Sequence, residues 1–206
     1  MDDSRPVLHP VGLSACLVQV PAAHVTDLYR HLTGNRPAHA SDIVPAETTV
    51  LVDGADCATV ADTLTRWRPR PTPATTARPL VRIPAVYDGP DLPAVAAAAG
   101  VDPAQVVAWH TGVTLTAAFC GFAPGFTYLT GLPAPLHLPR LPTPRPAVPA
   151  GSVALAAGYT AVYPRRGPGG WLLIGRAAGV RLFDVDRDPP ALLPPGTRVR
   201  FTAVPA

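Results

Sequence analysis

Residues 151–174 read GSVALAAGYTAVYPRRGPGGWLLI, in which short apolar segments are separated by Gly and Pro. Apolar runs bounded in this way are typical of β-strands joined by tight turns. The candidate strands of the region are 113–119, 152–156, 160–163, 171–174 and 198–203. Several short strands with turn signals between them predict a closed or strongly bent β-barrel.

Upstream of this region the chain alternates between strand and helix patterns. Apolar, β-branched runs predict strands at 13–20, 42–44 and 48–52. Apolar residues at helical spacing predict one helix over 24–33 and another that runs from an N-cap at Asp56 to Trp67. The resulting order, β-α-β-β-α, predicts a small ferredoxin-like sandwich of helices on a sheet.

The segment 68–79 contains four Pro residues and is the best linker candidate in the chain. After it the sequence predicts a strand at 80–83, an Ala-rich helix at 91–100, and a second helix with Asp102 as its N-cap. We therefore expect an α+β chain with two domains. A ferredoxin-like α/β domain would occupy 1–77, and a β-barrel domain 78–206.

The composition excludes several classes of protein. All 17 basic residues are Arg, so the chain has no Lys for a Walker A loop, a Schiff base or biotin attachment. The formal net charge of +3 is modest and no basic run is interleaved with aromatics, which argues against nucleic-acid binding. No apolar run approaches the roughly 20 residues of a membrane span, and the N-terminus lacks a secretory pattern. We expect a cytoplasmic protein with three reduced thiols and no metal site.

Residues 121–129 read GFAPGFTYL and combine Gly, Pro and aromatic side chains. Gly permits positive φ and close backbone approach, whereas aromatic rings supply flat apolar walls. The segment predicts either a binding loop or a rigid loop with a buried aromatic staple.

Two further segments carry Arg among Pro and Gly. Arg140 and Arg145 lie in the Pro-rich segment 139–152 and could form a stiff fork for a carboxylate or phosphate, or simply be surface residues. Residues 165–171 read RRGPGGW and predict either an anion-binding glycine nest or a tight hairpin.

His110 ends a predicted helix, where it could act as an acid, a base or a donor, or interact with the helix dipole. Cys120 has no partner that would make it a nucleophile, so a buried structural thiol is expected. Asp184, Asp186 and Asp188 lack the remaining features of a calcium loop and predict a solvated turn.

Together these segments resemble one family, the allophanate hydrolase subunit 1 (KipI) family, which includes the smaller carboxyltransferase-like subunit of bacterial ATP-dependent 5-oxoprolinase. The shared motifs occur in the family's order between about residues 80 and 201, and they include GFxPGFxYL at 121, VPAGS at 148, and PGGWxxIGR at 168.

The resemblance implies a cyclophilin-like barrel behind a small α/β domain. It also implies a complex with two other proteins. One resembles allophanate hydrolase subunit 2 and corresponds to the C-type subunit of 5-oxoprolinase, and the other resembles the A-type subunit of the same enzyme. That complex opens 5-oxo-L-proline to L-glutamate with hydrolysis of ATP. The chain alone would be inactive, and ATP would belong to the complex.

On this resemblance, catalytic roles are expected for His110, Arg140 and Arg145. Substrate-binding roles are expected for Gly121, Phe122, Pro124, Gly125, Phe126, Tyr128, Gly151, Ser152, Tyr163, Gly169, Gly170 and Trp171. Tyr159 and Ala161 replace the family's usual Gln and Gly, so the identity of the small-molecule amide substrate stays open. Two other functions also stay open. One is inhibition of a sensor histidine kinase by docking, and the other is the carboxyltransferase half of an allophanate- or urea-type biotin enzyme.

Overall fold

The computed structural model describes residues 5–70 and 80–206. In it the chain divides into two compact units, one on each side of segment 71–79. Most of the predicted linker lies in that segment and therefore outside the described residues. The predicted domain boundary between residues 77 and 78 also lies there and stays a prediction.

The N-terminal unit contains four strands and two helices. They are β1 (Val7–Val11), β2 (Ala15–Gln19), α1 (Ala22–Gly34), β3 (Asp42–Pro45), β4 (Thr49–Asp53) and α2 (Cys57–Leu64). The sheet order is β1-β2-β4-β3, and all neighbouring strands are antiparallel. Leu28 of α1 and Val60 of α2 are fully buried in one core with Val18 and Val50 of the sheet, so both helices cover the same face. This arrangement is the predicted sandwich.

Strand β1 was absent from the prediction. None of its side chains is buried, so it shows no alternation of apolar and polar residues that would indicate a strand. It forms a hairpin with β2, and Gly12 lies in the turn with a φ of 60°. Leu13, predicted to begin a strand, is fully exposed in this turn. In the usual ferredoxin-like order this edge belongs to a strand that follows the second helix, whereas here the edge strand comes first.

Helix α2 begins at the predicted cap but ends earlier than predicted. The Asp56 carboxylate accepts a hydrogen bond from the Thr59 backbone N–H at 2.9 Å. The helix ends at Leu64, not at Trp67. Trp67 is nevertheless only 5% exposed, and this burial explains why it fits the apolar spacing of the helix.

Cys16 and Cys57 are joined by a disulfide, so the prediction of three reduced thiols is wrong for these two residues. They are 41 residues apart in sequence and show no short-range cysteine motif. The fold brings them together because Cys16 lies on β2 and Cys57 begins α2, which packs over that part of the sheet. Their Cα atoms are 5.0 Å apart, a separation that suits a disulfide.

The second unit contains nine strands and two α-helices. They are β5 (Leu80–Val86), α3 (Leu92–Ala99), α4 (Pro103–Gly112), β6 (Leu115–Cys120), β7 (Thr127–Thr130), β8 (Arg145–Val148), β9 (Ser152–Ala156), β10 (Tyr159–Val162), β11 (Gly167–Gly169), β12 (Leu172–Ala177) and β13 (Arg198–Ala203). Seven strands close into a barrel in the order β10-β7-β6-β13-β5-β12-β9. Strands β8 and β11 pair with each other in a separate ribbon. The prediction of an α+β chain with a β-barrel is confirmed.

The barrel core consists of aliphatic and aromatic side chains from many strands. Ile83, Leu115, Leu155, Ile174 and Phe201 are all fully buried. Strand β13 pairs with β5 in parallel along the whole of its length, whereas the other strand pairs of the barrel are antiparallel.

The two α-helices of this unit lie where their signals predict. Gly100 follows α3 with a φ of 70°, the left-handed conformation of a helix C-cap. The Asp102 carboxylate accepts a hydrogen bond from the Gln105 N–H at 2.7 Å at the start of α4. Among the described residues, no single helix is long and apolar enough to cross a membrane, and α3 and α4 reach that length only together, with a bend of 89° between them.

Candidate functional site

The barrel unit contains a cavity of about 270 Å³, which we call the aromatic cavity. Its volume lies just below the roughly 300–1,000 Å³ that is typical of ligand pockets. It is lined by Phe122, Phe126, Tyr128, Arg140, Pro144, Tyr163, Pro168, Gly169, Gly170 and Trp171. The three Gly- and Pro-rich segments singled out in the sequence therefore meet around one space.

The loop before β7 positions two of the lining rings. A tight turn is closed by hydrogen bonds from Gly121 N to Phe126 O at 3.1 Å and from Phe126 N to Ala123 O at 2.9 Å. Gly125 has a φ of 83°, and a Cβ there would lie 2.8 Å from the Cβ of Phe183, so only Gly suits this position. The turn leaves Phe122 58% exposed and buries Phe126. The segment therefore lines the cavity, and it is also held in place by the buried ring of Phe126. This ring is the predicted aromatic staple.

Phe126 is the centre of the cavity wall. Its ring makes edge contacts with Tyr128, Tyr163 and Trp171, with ring centroids 5.2, 5.2 and 5.4 Å away. Edge-to-face aromatic pairs at these distances are favourable beyond the apolar area that they bury. The wall is therefore fixed by packing before any ligand binds.

Two phenol groups contribute polar atoms to this wall. Burial raises the pKa of Tyr128 and of Tyr163, and for Tyr163 a hydrogen bond from the backbone of Trp171 partly offsets that effect on the pKa. Both hydroxyl groups therefore keep their protons at neutral pH. Gly169 lies directly against the Tyr163 hydroxyl, which a Cβ at that position would overlap. The predicted glycine segment is part of the strand pair β8–β11, where Gly167 and Gly169 face Val148 and Arg145.

The two Arg residues of the predicted fork have different surroundings. Arg140 lines the cavity, is exposed, and makes no hydrogen bond or ion pair with any other described residue. Arg145 lies on β8 beside the cavity without lining it. Its Nη2 is 2.7 Å from Oδ1 of Asp91, and its Nη1 donates to Trp171 O at 3.3 Å. Of the two, Arg140 is available to a ligand without breaking an ion pair.

Asp91 was missed as a residue of the site. Its second carboxylate oxygen accepts a hydrogen bond from the Leu173 N–H at 2.7 Å. The carboxylate thus joins Arg145 to the strand that follows Trp171 and supports the cavity wall. In the sequence Asp91 is the first residue of the predicted Ala-rich helix, 54 residues before its partner, and no local pattern reveals this contact.

A wider groove of about 690 Å³ lies next to the aromatic cavity and shares Tyr163 with it. Pro124 and Gly151, two predicted substrate-binding residues, line this groove together with Arg165 and Arg181. Gly121, Gly125 and Ser152 line neither space. The Ser152 hydroxyl donates to Pro149 O at 2.9 Å and so closes a turn.

His110 lies apart from both spaces, in the barrel core. It is fully buried between Tyr87, whose Oη is 2.7 Å from Nδ1, and Thr160, whose Oγ1 is 2.9 Å from Nε2. The Thr160 hydroxyl donates to Ala154 O, so it accepts from a protonated Nε2, and Nδ1 accepts from Tyr87. Burial lowers the pKa of His110 to about 3. The imidazole is therefore neutral at pH 7 and makes no charge interaction with the helix dipole.

Cys120 is half-buried, with its Sγ 3.4 Å from Thr127 Oγ1 and 3.7 Å from Leu193 O. Burial raises its pKa, so it remains a thiol and not a nucleophilic thiolate. Within residues 5–70 and 80–206 no three His, Cys, Asp or Glu side chains are grouped as metal ligands.

The aromatic cavity can hold a small, partly apolar molecule between flat walls. Tyr128 and Tyr163 offer hydroxyl groups, and Arg140 offers a guanidinium for a carboxylate or another anion. No Asp, Glu, His, Cys or Lys belongs to the described lining. The cavity can therefore bind and orient a ligand, but apart from its two phenols the described lining offers no group for proton transfer.

Comparison with known proteins places these features in a family. The profile of the family described as "Carboxyltransferase domain, subdomain C and D" matches residues 6–193. The chain is 51% identical to the B-type subunit of 5-oxoprolinase from Escherichia coli O157:H7 over 124 residues, which cover 59% of this chain and 56% of that protein. The match thus spans little more than half of the curated relative.

Solved structures share the fold over nearly the whole chain. The crystal structure of TTHA0988 superposes with a TM-score of 0.76 at 33% identity, over 98% of this chain and 40% of that one. The urea amidolyase of K. lactis superposes with a TM-score of 0.72 over 98% of this chain and 15% of that one. Its identity of 14% shows a shared fold alone.

Proposed function

The chain belongs to the family of carboxyltransferase domains, subdomain C and D, and on this premise we propose that it is a subunit of an ATP-dependent 5-oxoprolinase. The name of the relative that is 51% identical supports this reaction. The observation that carries the proposal is the aromatic cavity, which has rigid walls and one unpaired guanidinium but no Asp, Glu, His, Cys or Lys in its described lining.

The cavity suits 5-oxo-L-proline, a small ring with a lactam and a carboxylate. Arg140 would pair with the carboxylate, and Phe126 and Trp171 would pack on the faces or edges of the ring. The hydroxyl of Tyr128 or Tyr163 would donate to the lactam oxygen and orient it for the phosphoryl group that activates it. These contacts would hold the carbonyl in one orientation and exclude bulk water.

The proton transfers would come from outside this cavity. Opening the lactam requires a base for the attacking water and an acid for the leaving nitrogen. Because the described lining has no carboxylate, imidazole, thiol or lysine amine for these transfers, we assign them to a partner, an allophanate hydrolase subunit 2-like protein. A protein like the A-type subunit of 5-oxoprolinase would be the third member. We place the complex in the cytoplasm.

ATP is assigned to the complex and not to this cavity. The nucleotide would supply the phosphoryl group that activates the lactam oxygen. The aromatic cavity fits it poorly, because it is small and offers a single unpaired cation, and the chain has no Lys. His110 and Arg145 are proposed to act indirectly, since one is buried in the core and the other is paired with Asp91.

The test is 5-oxoproline-dependent ADP release by the assembled subunits, with the chain alone as a control. Arg140→Gln should raise the KM for 5-oxoproline by about tenfold or more, because a charge-assisted pair with the carboxylate is lost. Arg166→Gln removes the charge of another exposed Arg that does not line the cavity, and it should change KM less than about twofold.

Activity of this chain by itself would contradict the assignment of the proton transfers and of ATP to the partner subunits. An intact complex that releases no ADP with 5-oxoproline would contradict the proposal that the chain is part of an ATP-dependent 5-oxoprolinase.

A further inference from the structure

The N-terminal unit contains a cleft of about 280 Å³ that the proposed function does not use. It is formed by α1 and by the segment that follows α2. The lining residues are Asp27, Arg30, His31, Arg66, Trp67, Arg68 and Arg70. We call it the arginine cleft, because four of its seven residues are Arg.

The backbone on both sides of the arginine cleft is fixed by hydrogen bonds. Oδ2 of Asp27 accepts from Trp67 Nε1 at 2.9 Å and from the Arg70 N–H at 3.3 Å. His31 Nε2 lies 3.2 Å from Thr63 O. These contacts hold the segment after α2 against α1, and the buried Trp67 anchors it in the core. The Cα positions of the arginines are therefore set by the fold.

The charges of the cleft are not balanced within it. Asp27 is its sole carboxylate, and none of the four guanidinium groups forms an ion pair within the described ranges. Arg68 donates to Thr65 O and Trp67 O, the carbonyl groups that follow α2, which is an ordinary role at a helix C-terminus. Arg30 and Arg66 make no hydrogen bond with any described residue and have no such role.

We propose that the arginine cleft binds a compact oxyanion that carries several negative charges, with adjacent phosphate groups as the best match. Four guanidinium groups exceed what one carboxylate neutralises, and planar guanidinium forks fit phosphate oxygens in pairs. Trp67, the one Phe, Tyr or Trp side chain in the described lining, is 5% exposed and offers no free indole face to a base. Recognition is therefore of the anionic group.

The experiment is a calorimetric titration of the full chain with sodium pyrophosphate at low ionic strength. The variant Arg30→Ala/Arg66→Ala should bind about tenfold more weakly or worse than the unmodified chain. The matched control is Arg5→Ala/Arg82→Ala, which removes the same charge from two exposed residues outside the cleft. That control should change the affinity less than about threefold.

Three results would overturn the proposal. One is the absence of saturable pyrophosphate binding by the unmodified chain, and another is an equal loss in both double variants, which would indicate a general charge effect. The third is acetate binding as tightly as pyrophosphate, because a site for several negative charges should favour pyrophosphate strongly. Circular dichroism of both variants verifies that they are folded.

Discussion

The aromatic cavity and the arginine cleft have nearly equal volumes, about 270 and 280 Å³, but opposite construction. The first is walled by rings that pack against each other, and Phe126 in its centre is 2% exposed. The second is lined mostly by exposed charged side chains around a fixed backbone. The difference teaches that the first space is built from side chains that the fold itself packs, whereas the second also presents two arginines, Arg30 and Arg66, that make no hydrogen bond or ion pair with a described residue.

Substitution of Phe126 should have the largest effect and tests the first half of this comparison. Phe126→Ala removes a buried ring and its edge contacts with three aromatic neighbours. The free energy of unfolding of the barrel unit should fall by about 3–5 kcal/mol. Urea denaturation, followed by near-ultraviolet circular dichroism of the aromatic cluster, measures this change.

The matched control is Phe122→Ala, because Phe122 belongs to the same loop but is 58% exposed. It should lower the free energy of unfolding by less than about 1 kcal/mol. Similar losses in the two variants would contradict the view that burial, and not membership of the cavity, determines stability.

Substitution of Asp91 should have an intermediate effect, because it releases a guanidinium that the fold holds. Asp91→Asn removes the charge that pairs with Arg145 while keeping a side chain that accepts from Leu173 N. The barrel unit should lose about 1.5–3 kcal/mol, as for other hydrogen bonds to charged groups. The same denaturation experiment measures it.

The double change Asp91→Asn/Arg145→Gln sharpens this test. If the ion pair is the cause, the double variant should lose less stability than the two single losses combined. Strict additivity would show that Arg145 and Asp91 act independently.

Removal of charge from the arginine cleft should have the smallest effect on stability. Arg30→Ala/Arg66→Ala should leave the free energy of unfolding within about 0.5 kcal/mol of the unmodified chain, because neither side chain has a partner among the described residues. Thermal unfolding without added anion measures it. A loss above about 2 kcal/mol would mean that these side chains support the fold, and the contrast between the two spaces would fail.

Structural features that depend on neighbouring residues in the chain were predicted best from the sequence. The caps at Asp56 and Asp102 and the end of the Ala-rich helix at Gly100 were read from neighbouring residues, and the structure confirms all three. The barrel was predicted because its core strands are apolar and bounded by turns. The lining segments were predicted because Gly and Pro gather there with aromatics, and the structure brings them to one cavity.

The features that escaped prediction depend on contacts between distant residues. The disulfide joins residues 41 apart, and the ion pair of Asp91 with Arg145 joins residues 54 apart. Strand β1 has no buried side chain, so it shows no apolar alternation. The arginine cleft also escaped, because Arg30 is far in sequence from Arg66 and only packing of α1 with the segment after α2 unites them.

The parallel pairing of β5 with β13 has a consequence for how the chain acquires its structure during synthesis. Strand β5 meets β12 only near its end, at Val86 and Ala85, so most of its length pairs with β13 alone. Residues 80–83 therefore emerge from the ribosome with no sheet neighbour in this fold until residues 198–203 have been translated. Closure over so long a loop is slow, and until it occurs the apolar residues of β5 lack their native sheet neighbour and are exposed to aggregation.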